Sequence, residues 1–87
     1  MIAFTKALAQ ELADTEIRVN TVTPGPINTE LITRLGAPIV DSMIASSPLK
    51  RLGTAGEVAD LVVWLCSEAA SFTTGAVFDV SGGRAAY

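Results

Sequence analysis

Histidine is absent from this chain, and cysteine and tryptophan occur once each. Without histidine, serine–histidine and cysteine–histidine nucleophiles are excluded, and zinc sites of the ordinary kinds lack ligands. The single cysteine, Cys66, has no partner for an internal disulfide. It lies in an apolar helical run and reads as a small buried hydrophobe. Charge is also scarce: 17% of the residues are charged, six Lys+Arg against nine Asp+Glu, for a net charge of −3. No basic stripe exists, so no nucleic-acid partner and no anionic membrane surface is expected. Long apolar runs are missing too. The most apolar stretch, Leu61 to Cys66, falls far short of the roughly 18 residues a membrane span requires. No basic segment precedes an apolar one near Met1, so no signal peptide is expected, and the chain reads as soluble and cytoplasmic.

Hydrophobicity, by contrast, is abundant. Of the 87 residues, 49% are hydrophobic, and the mean hydropathy is +0.45. Chains of this length bury only about 60–65% of the surface their unfolded form exposes, so a small self-sufficient domain needs many polar residues to cover itself. The excess implies that the chain self-associates, that it is a segment of a larger fold, or both.

The first element is a helix from Ile2 to Ala13, rich in Ala, Leu, Lys, Gln and Glu. Phe4, Leu8 and Leu12 recur every four residues as one face, while Ile2, Ala3, Ala7 and Ala9 widen the apolar surface toward burial on two sides. The helix starts at or before Met1 with no capping residue ahead of it, as a truncated helix would. After the polar turn Asp14-Thr15-Glu16, the β-branched run Ile17 to Val22 predicts a strand ending at Pro24-Gly25. A helical turn over Asn28 to Leu35 follows, with Asn28 or Thr29 as its cap, and Gly36 ends it. Pro38 suits the first turn of another helix reaching about Ser46, with Ile39, Val40, Met43 and Ile44 as its apolar side. Thr54 with Glu57 three residues on is a capping box opening a helix to Ser67, where Val58, Leu61, Val62 and Leu65 mark the docked face. Ala76 to Val80 is a second strand, and Ser81-Gly82-Gly83 closes the ordered part. Two β-runs separated by about fifty residues of helix demand a parallel, right-handed crossover rather than a hairpin. Two parallel strands do not stand alone, and need neighbouring strands and helices on both faces. The fold class is therefore α/β, an edge piece of a doubly wound parallel sheet, with residues 1–87 as one partial domain.

Ligands of open parallel sheets bind outside the carboxyl ends of the strands. Here the first strand ends in Pro24-Gly25-Pro26-Ile27-Asn28-Thr29. Gly25 admits close backbone approach, the prolines stiffen the loop, and Ile27 offers an amide and a carbonyl. Thr29 adds a hydroxyl beside a helix start. The same residues also make an ordinary strand-to-helix turn, and both readings stand on spacing alone.

The run Ile17-Arg18-Val19-Asn20-Thr21-Val22-Thr23-Pro24-Gly25-Pro26-Ile27-Asn28-Thr29 closely resembles the nicotinamide-side segment of the short-chain dehydrogenases/reductases (SDRs). So does the preceding helix from Phe4 to Leu12. Pro48-Leu49-Lys50-Arg51-Leu52-Gly53 leading to Glu57-Val58-Ala59 is similar to that family's stretch before its last long helix. The tail, Thr74-Gly75 through Val77, Asp79 and Val80 to Gly82-Gly83, is similar to its last core strand, as in 3-oxoacyl-carrier-protein-reductase-like members. Ala55-Gly56 stands where the family often has proline, a change the capping box makes minor. The resemblance implies the C-terminal third of a seven-stranded Rossmann sheet, holding its last two strands and their helices. It implies that Pro24, Gly25, Pro26, Ile27 and Thr29 face NAD or NADP, with the Ile27 backbone on the carboxamide and the Thr29 hydroxyl alongside. It places subunit interfaces at the helix matching Ile2 to Ala13 and at the region matching Glu57 to Val80.

The family's serine, tyrosine and lysine have no counterpart here. Tyr87 has no lysine after it, Ser42, Ser46, Ser47 and Ser81 read as caps, turns and surface, and Lys6 reads as solvent-facing. No glycine-rich phosphate loop is present, since Gly53-Thr54-Ala55-Gly56 is too sparse and Gly82-Gly83 opens no helix. No catalytic or metal-binding residue is therefore expected in this chain. It is expected to be inactive alone, to bind little cofactor, and to associate with itself or with the remainder of an SDR subunit. A non-catalytic assembly module derived from that fold is the alternative.

Overall fold

The computed structural model describes residues 2–83. Along the chain run helix α1 (Ile2–Glu11), strand β1 (Thr21–Pro24), helices α2 (Glu30–Thr33), α3 (Ala37–Ser46) and α4 (Ala55–Leu65), a short 3-10 turn (Glu68–Ala70) and strand β2 (Val77–Val80). The two strands pair in parallel, with Thr21 opposite Val77 and Pro24 opposite Val80. The α/β class and the parallel pairing are those the sequence implies. Tyr87 lies outside the described residues.

Paired residues in register share a sheet face, and successive residues alternate faces. On one face, the Thr21 hydroxyl hydrogen-bonds the Thr5 hydroxyl of α1. On the other, Phe78, opposite Val22, meets Trp64 of α4 edge-on with ring centroids 6.3 Å apart. The minimal sheet thus carries a helix on each side. Among the described residues few are buried: Ala9, Leu65 and Ala70 among the apolar ones, and Thr5, Thr21 and Ser47 among the polar.

β1 begins four residues later than the run Ile17 to Val22 predicts. Ile17 is exposed and its N–H donates to Thr15 Oγ1 at 3.0 Å. The Val19 N–H donates to Thr74 Oγ1 (3.1 Å), the Asn20 Nδ2 to the Thr73 carbonyl (3.1 Å), and Asn20 Oδ1 accepts from the Ala76 N–H (3.2 Å). Side chains therefore take most of the positions along this approach, and its backbone bond is the one the Gly75 N–H, at a residue with φ +69°, donates to the Val19 carbonyl at 2.7 Å. The strand pairing proper then continues with the Thr21 N–H donating to the Ala76 carbonyl at 2.9 Å.

The face of α1 is also rotated from the one expected. Thr5 and Ala9 are buried, Leu8 and Leu12 are half-buried, and Phe4 is exposed. Small residues face the sheet because the 74–75 turn packs close: a Cβ on Gly75 would stand 3.3 Å from Ala9 Cβ. Lys6 is exposed as expected, and its Nζ tethers the same turn by donating to the Gly75 carbonyl at 2.8 Å.

The capping box of α4 forms as the sequence predicts: the Glu57 N–H donates to Thr54 Oγ1 (3.1 Å) and the Thr54 N–H to Glu57 Oε1 (2.9 Å). α4 stops at Leu65, so Cys66 is its C-terminal cap and is exposed rather than buried. Ser47, one of the serines read as caps, turns and surface, is the C-terminal cap of α3; it is buried, and among the described residues its hydroxyl has no hydrogen-bond partner.

The described helices leave much apolar surface open. Ile2, Phe4, Ile17, Leu31, Leu35, Ile39, Leu49, Val62, Val63, Trp64 and Phe72 are all exposed. The accessible surface is 5994 Å², against about 4,900 Å² for a compact monomer of this mass. The radius of gyration is 15.4 Å, where a compact chain of this length has about 12 Å.

Candidate functional site

The loop after β1 is held from two directions. The Gly25 N–H donates to the Val80 carbonyl at 2.9 Å, and a Cβ on Gly25 would lie 2.8 Å from Ser81 Cα. Glycine is required there by the end of β2, since backbone cannot swing aside as a side-chain tip can. Farther along, Ile27 and Gly53 form a parallel bridge. The Gly53 N–H donates to the Pro26 carbonyl (3.0 Å), and the Asn28 N–H donates to the Gly53 carbonyl (2.8 Å).

That bridge has a geometric consequence. In a parallel pair the flanking peptides of one strand bond the partner, so the central residue turns its own N–H and C=O the opposite way. Ile27 is the central residue. Its N–H and C=O make no hydrogen bond among the described residues. An adjacent donor and acceptor on one edge is what a primary carboxamide, with its own C=O and NH₂, can pair with.

Thr29 caps α2, its Oγ1 accepting from the Ile32 N–H at 3.4 Å, and its proton remains available for donation. Pro24, Ile27 and Thr29 line one apolar groove of about 470 Å³, whose other wall is α4 through Ala55, Val58 and Val62. Pro26 faces a different hollow of about 150 Å³ at the strand ends, beside Arg51, Gly53, Glu57 and Ser81. Of the five residues that the sequence singles out, three thus share a groove, Pro26 lies behind them, and Gly25 is wedged against β2.

Behind the loop, Arg51 and Glu57 form a two-pronged ion pair, with Nη1 to Oε1 and Nη2 to Oε2 both at 2.7 Å. The Arg51 guanidinium and, after it, the Thr54 backbone N–H hold the Glu57 carboxyl down at about 2. Glu57 raises the Arg51 pKa in turn, through the same hydrogen bonds and its charge.

Sequence patterns assign no role to Arg18. Its Nη1 donates to the carbonyls of Leu65 (2.9 Å) and Ala70 (2.8 Å), gathering the end of α4 and the following turn onto the approach to β1. A cation on the carbonyl end of a helix is favoured by the helix dipole. One charged residue in an otherwise uncharged, β-branched run is a signal, although its targets lie some fifty residues away. Among the described residues, no three His, Cys, Asp or Glu side chains cluster as a metal site. No helix there is long and apolar enough to cross a membrane.

A parallel two-stranded sheet with a helix on each face, and a loop at the carboxyl end of its first strand, is the arrangement of a segment of a Rossmann-type fold. Residues 1–85 match the family described as enoyl-(acyl carrier protein) reductase, and the chain belongs to that family of short-chain dehydrogenases/reductases. It is 45% identical over 80 residues to an acetoacetyl-CoA reductase of Cupriavidus necator, covering 92% of this chain and 32% of that protein. It is 46% identical over 83 residues to a 3-oxoacyl-[acyl-carrier-protein] reductase of Aquifex aeolicus, covering 95% and 34%. Among solved structures, a 3-oxoacyl-[acyl-carrier protein] reductase of Brucella melitensis superposes with a TM-score of 0.93 at 42% identity, over 98% of this chain and 32% of that one. The chain spans about a third of the length of the curated relatives it matches.

Proposed function

We propose that this chain forms the nicotinamide-side wall and substrate lid of an NAD(P)-dependent oxidoreductase passing hydride between the nicotinamide ring and a carbonyl or alcohol. The observation that carries the proposal is the N–H and C=O of Ile27, unpaired among the described residues and turned away from Gly53 by the parallel bridge. Pro24, Ile27 and Thr29 hold and orient the ring and its carboxamide, while Gly25 and Pro26 shape the loop behind them. The dinucleotide, when bound, supplies the hydride. The proton donor and the phosphate seat come from the remainder of the subunit, so this chain alone is inactive and binds NAD or NADP negligibly. Its surroundings are cytoplasmic.

A graft tests this directly. Residues 1–87 replace the matching third of the Aquifex reductase, and nicotinamide oxidation is followed with acetoacetyl-CoA. Turnover by the graft, together with no saturable binding of NADH or NADPH by the isolated chain tighter than about 10 μM (some 7 kcal/mol), is the expected result. A well-folded graft without turnover, or an isolated chain that binds more tightly, overturns it. The second reading, a non-catalytic assembly module, is favoured by the exposed Phe4, Val63 and Phe72. It predicts a defined oligomer of the isolated chain and no turnover by the graft.

A further inference from the structure

We infer that Gly53 is a positioning residue for the Ile27 peptide groups, and that a strap tied by Glu57 holds Gly53 in place; this rests on the reading that Ile27 receives the nicotinamide carboxamide. The loop itself offers few donors. Pro24 and Pro26 have no N–H, the Gly25 N–H is committed to Val80, and the Asn28 N–H is committed to Gly53. That leaves Ile27 as the single unpaired backbone donor from residue 24 to residue 28. Its direction is set by the two bonds on either side of it, and both of them end on Gly53.

Gly53 is in turn held from both of its neighbours. Glu57 Oε1 accepts from Arg51 Nη1 and from the Thr54 N–H, at 2.7 and 2.9 Å. Glu57 Oε2 accepts from Arg51 Nη2 at 2.7 Å, and Arg51 Nη1 also donates to the Leu52 carbonyl at 3.1 Å. Residues 51–54 are therefore closed into a loop on one carboxylate at the start of α4. Side-chain space is tight as well: a Cβ on Gly53 would stand 2.9 Å from Ile27 Cδ1.

The test uses the graft with Gly53→Pro, which removes the N–H given to Pro26, with Glu57→Ala, which unties the strap, and with Glu57→Gln, which keeps an acceptor for the Thr54 N–H. Affinities are measured calorimetrically for the nicotinamide dinucleotide that the unsubstituted graft prefers and for the matching ADP-ribose, which lacks the nicotinamide ring. Gly53→Pro and Glu57→Ala are expected to weaken the dinucleotide on the order of fivefold to tenfold, the worth of an ordinary hydrogen bond. ADP-ribose binding stays unchanged, and Glu57→Gln returns close to the unsubstituted value. Hydrogen exchange in the same samples should show the Asn28 amide losing protection while the Leu65 amide keeps it. If Gly53→Pro does not fold, Glu57→Ala and its Gln rescue carry the test. Unchanged dinucleotide affinity in folded variants, or equal weakening of both ligands, overturns the inference while leaving the carboxamide reading intact. Equal affinity of the unsubstituted graft for both ligands removes the carboxamide reading, and the inference with it.

Discussion

At Gly25 the limit is set by backbone, since a methyl group would meet Ser81 Cα at 2.8 Å and neither chain segment can rotate away. Gly25→Ala in the graft should cost roughly 1–3 kcal/mol, as overpacked sites do, read as a lower urea midpoint. Arg18 answers to a different kind of constraint. Its guanidinium gathers the Leu65 and Ala70 carbonyls from a half-buried position, so Arg18→Ala should cost about 1.5–3 kcal/mol, the worth of hydrogen bonds to a charged group. Arg18→Lys should restore little of it, because an ammonium lacks the planar fork. Glu57 adds a pH signature. Its folded pKa, about 2, lies below the ordinary 4.5. The stability it contributes is therefore complete above the ordinary value and lost as pH falls from there toward 2. Urea midpoints against pH should show this acid loss in the unsubstituted graft and a shallower one in Glu57→Gln; parallel curves would contradict the assignment.

Elements are legible from sequence where their signals are local. The capping box at Thr54 and Glu57 needs only residues three apart, and it forms as expected. Gly36 and Pro38 mark the start of α3 for the same reason. The start of β1 departs from expectation because most of its first would-be ladder partners are side chains, Thr74 Oγ1 and the Asn20 amide, which a β-branched run does not announce. The bridge that orients Ile27 is invisible in the sequence, since nothing near Ile27 points to Gly53. On α1 the periodicity holds and the phase does not. Threonine and alanine face the sheet because the Gly75 turn leaves no room for larger groups. Ala9→Leu should therefore destabilise the graft by roughly 1–3 kcal/mol, measured by thermal melting. Phe4→Ser should leave the α1–sheet contact intact and reduce association of the isolated chain, measured by light scattering.

Over the whole molecule, the balance of surface decides behaviour. Among the described residues three apolar ones are buried, while eleven large ones are exposed. An apolar surface of that extent is characteristic of faces that meet other protein. Composition alone implies this imbalance, because 49% hydrophobic residues cannot be hidden by a chain of this length. What composition does not carry is where the uncovered area lies, on α1 at Phe4 and on α4 at Val62, Val63 and Trp64. The most direct measurement is multi-angle light scattering of the purified 87-residue chain, coupled to size exclusion. The expected result is a mass at multiples of the 9.0 kDa chain, or heterogeneous aggregate. A monodisperse 9.0 kDa species that melts cooperatively would show that these faces need no further protein, and would contradict the account.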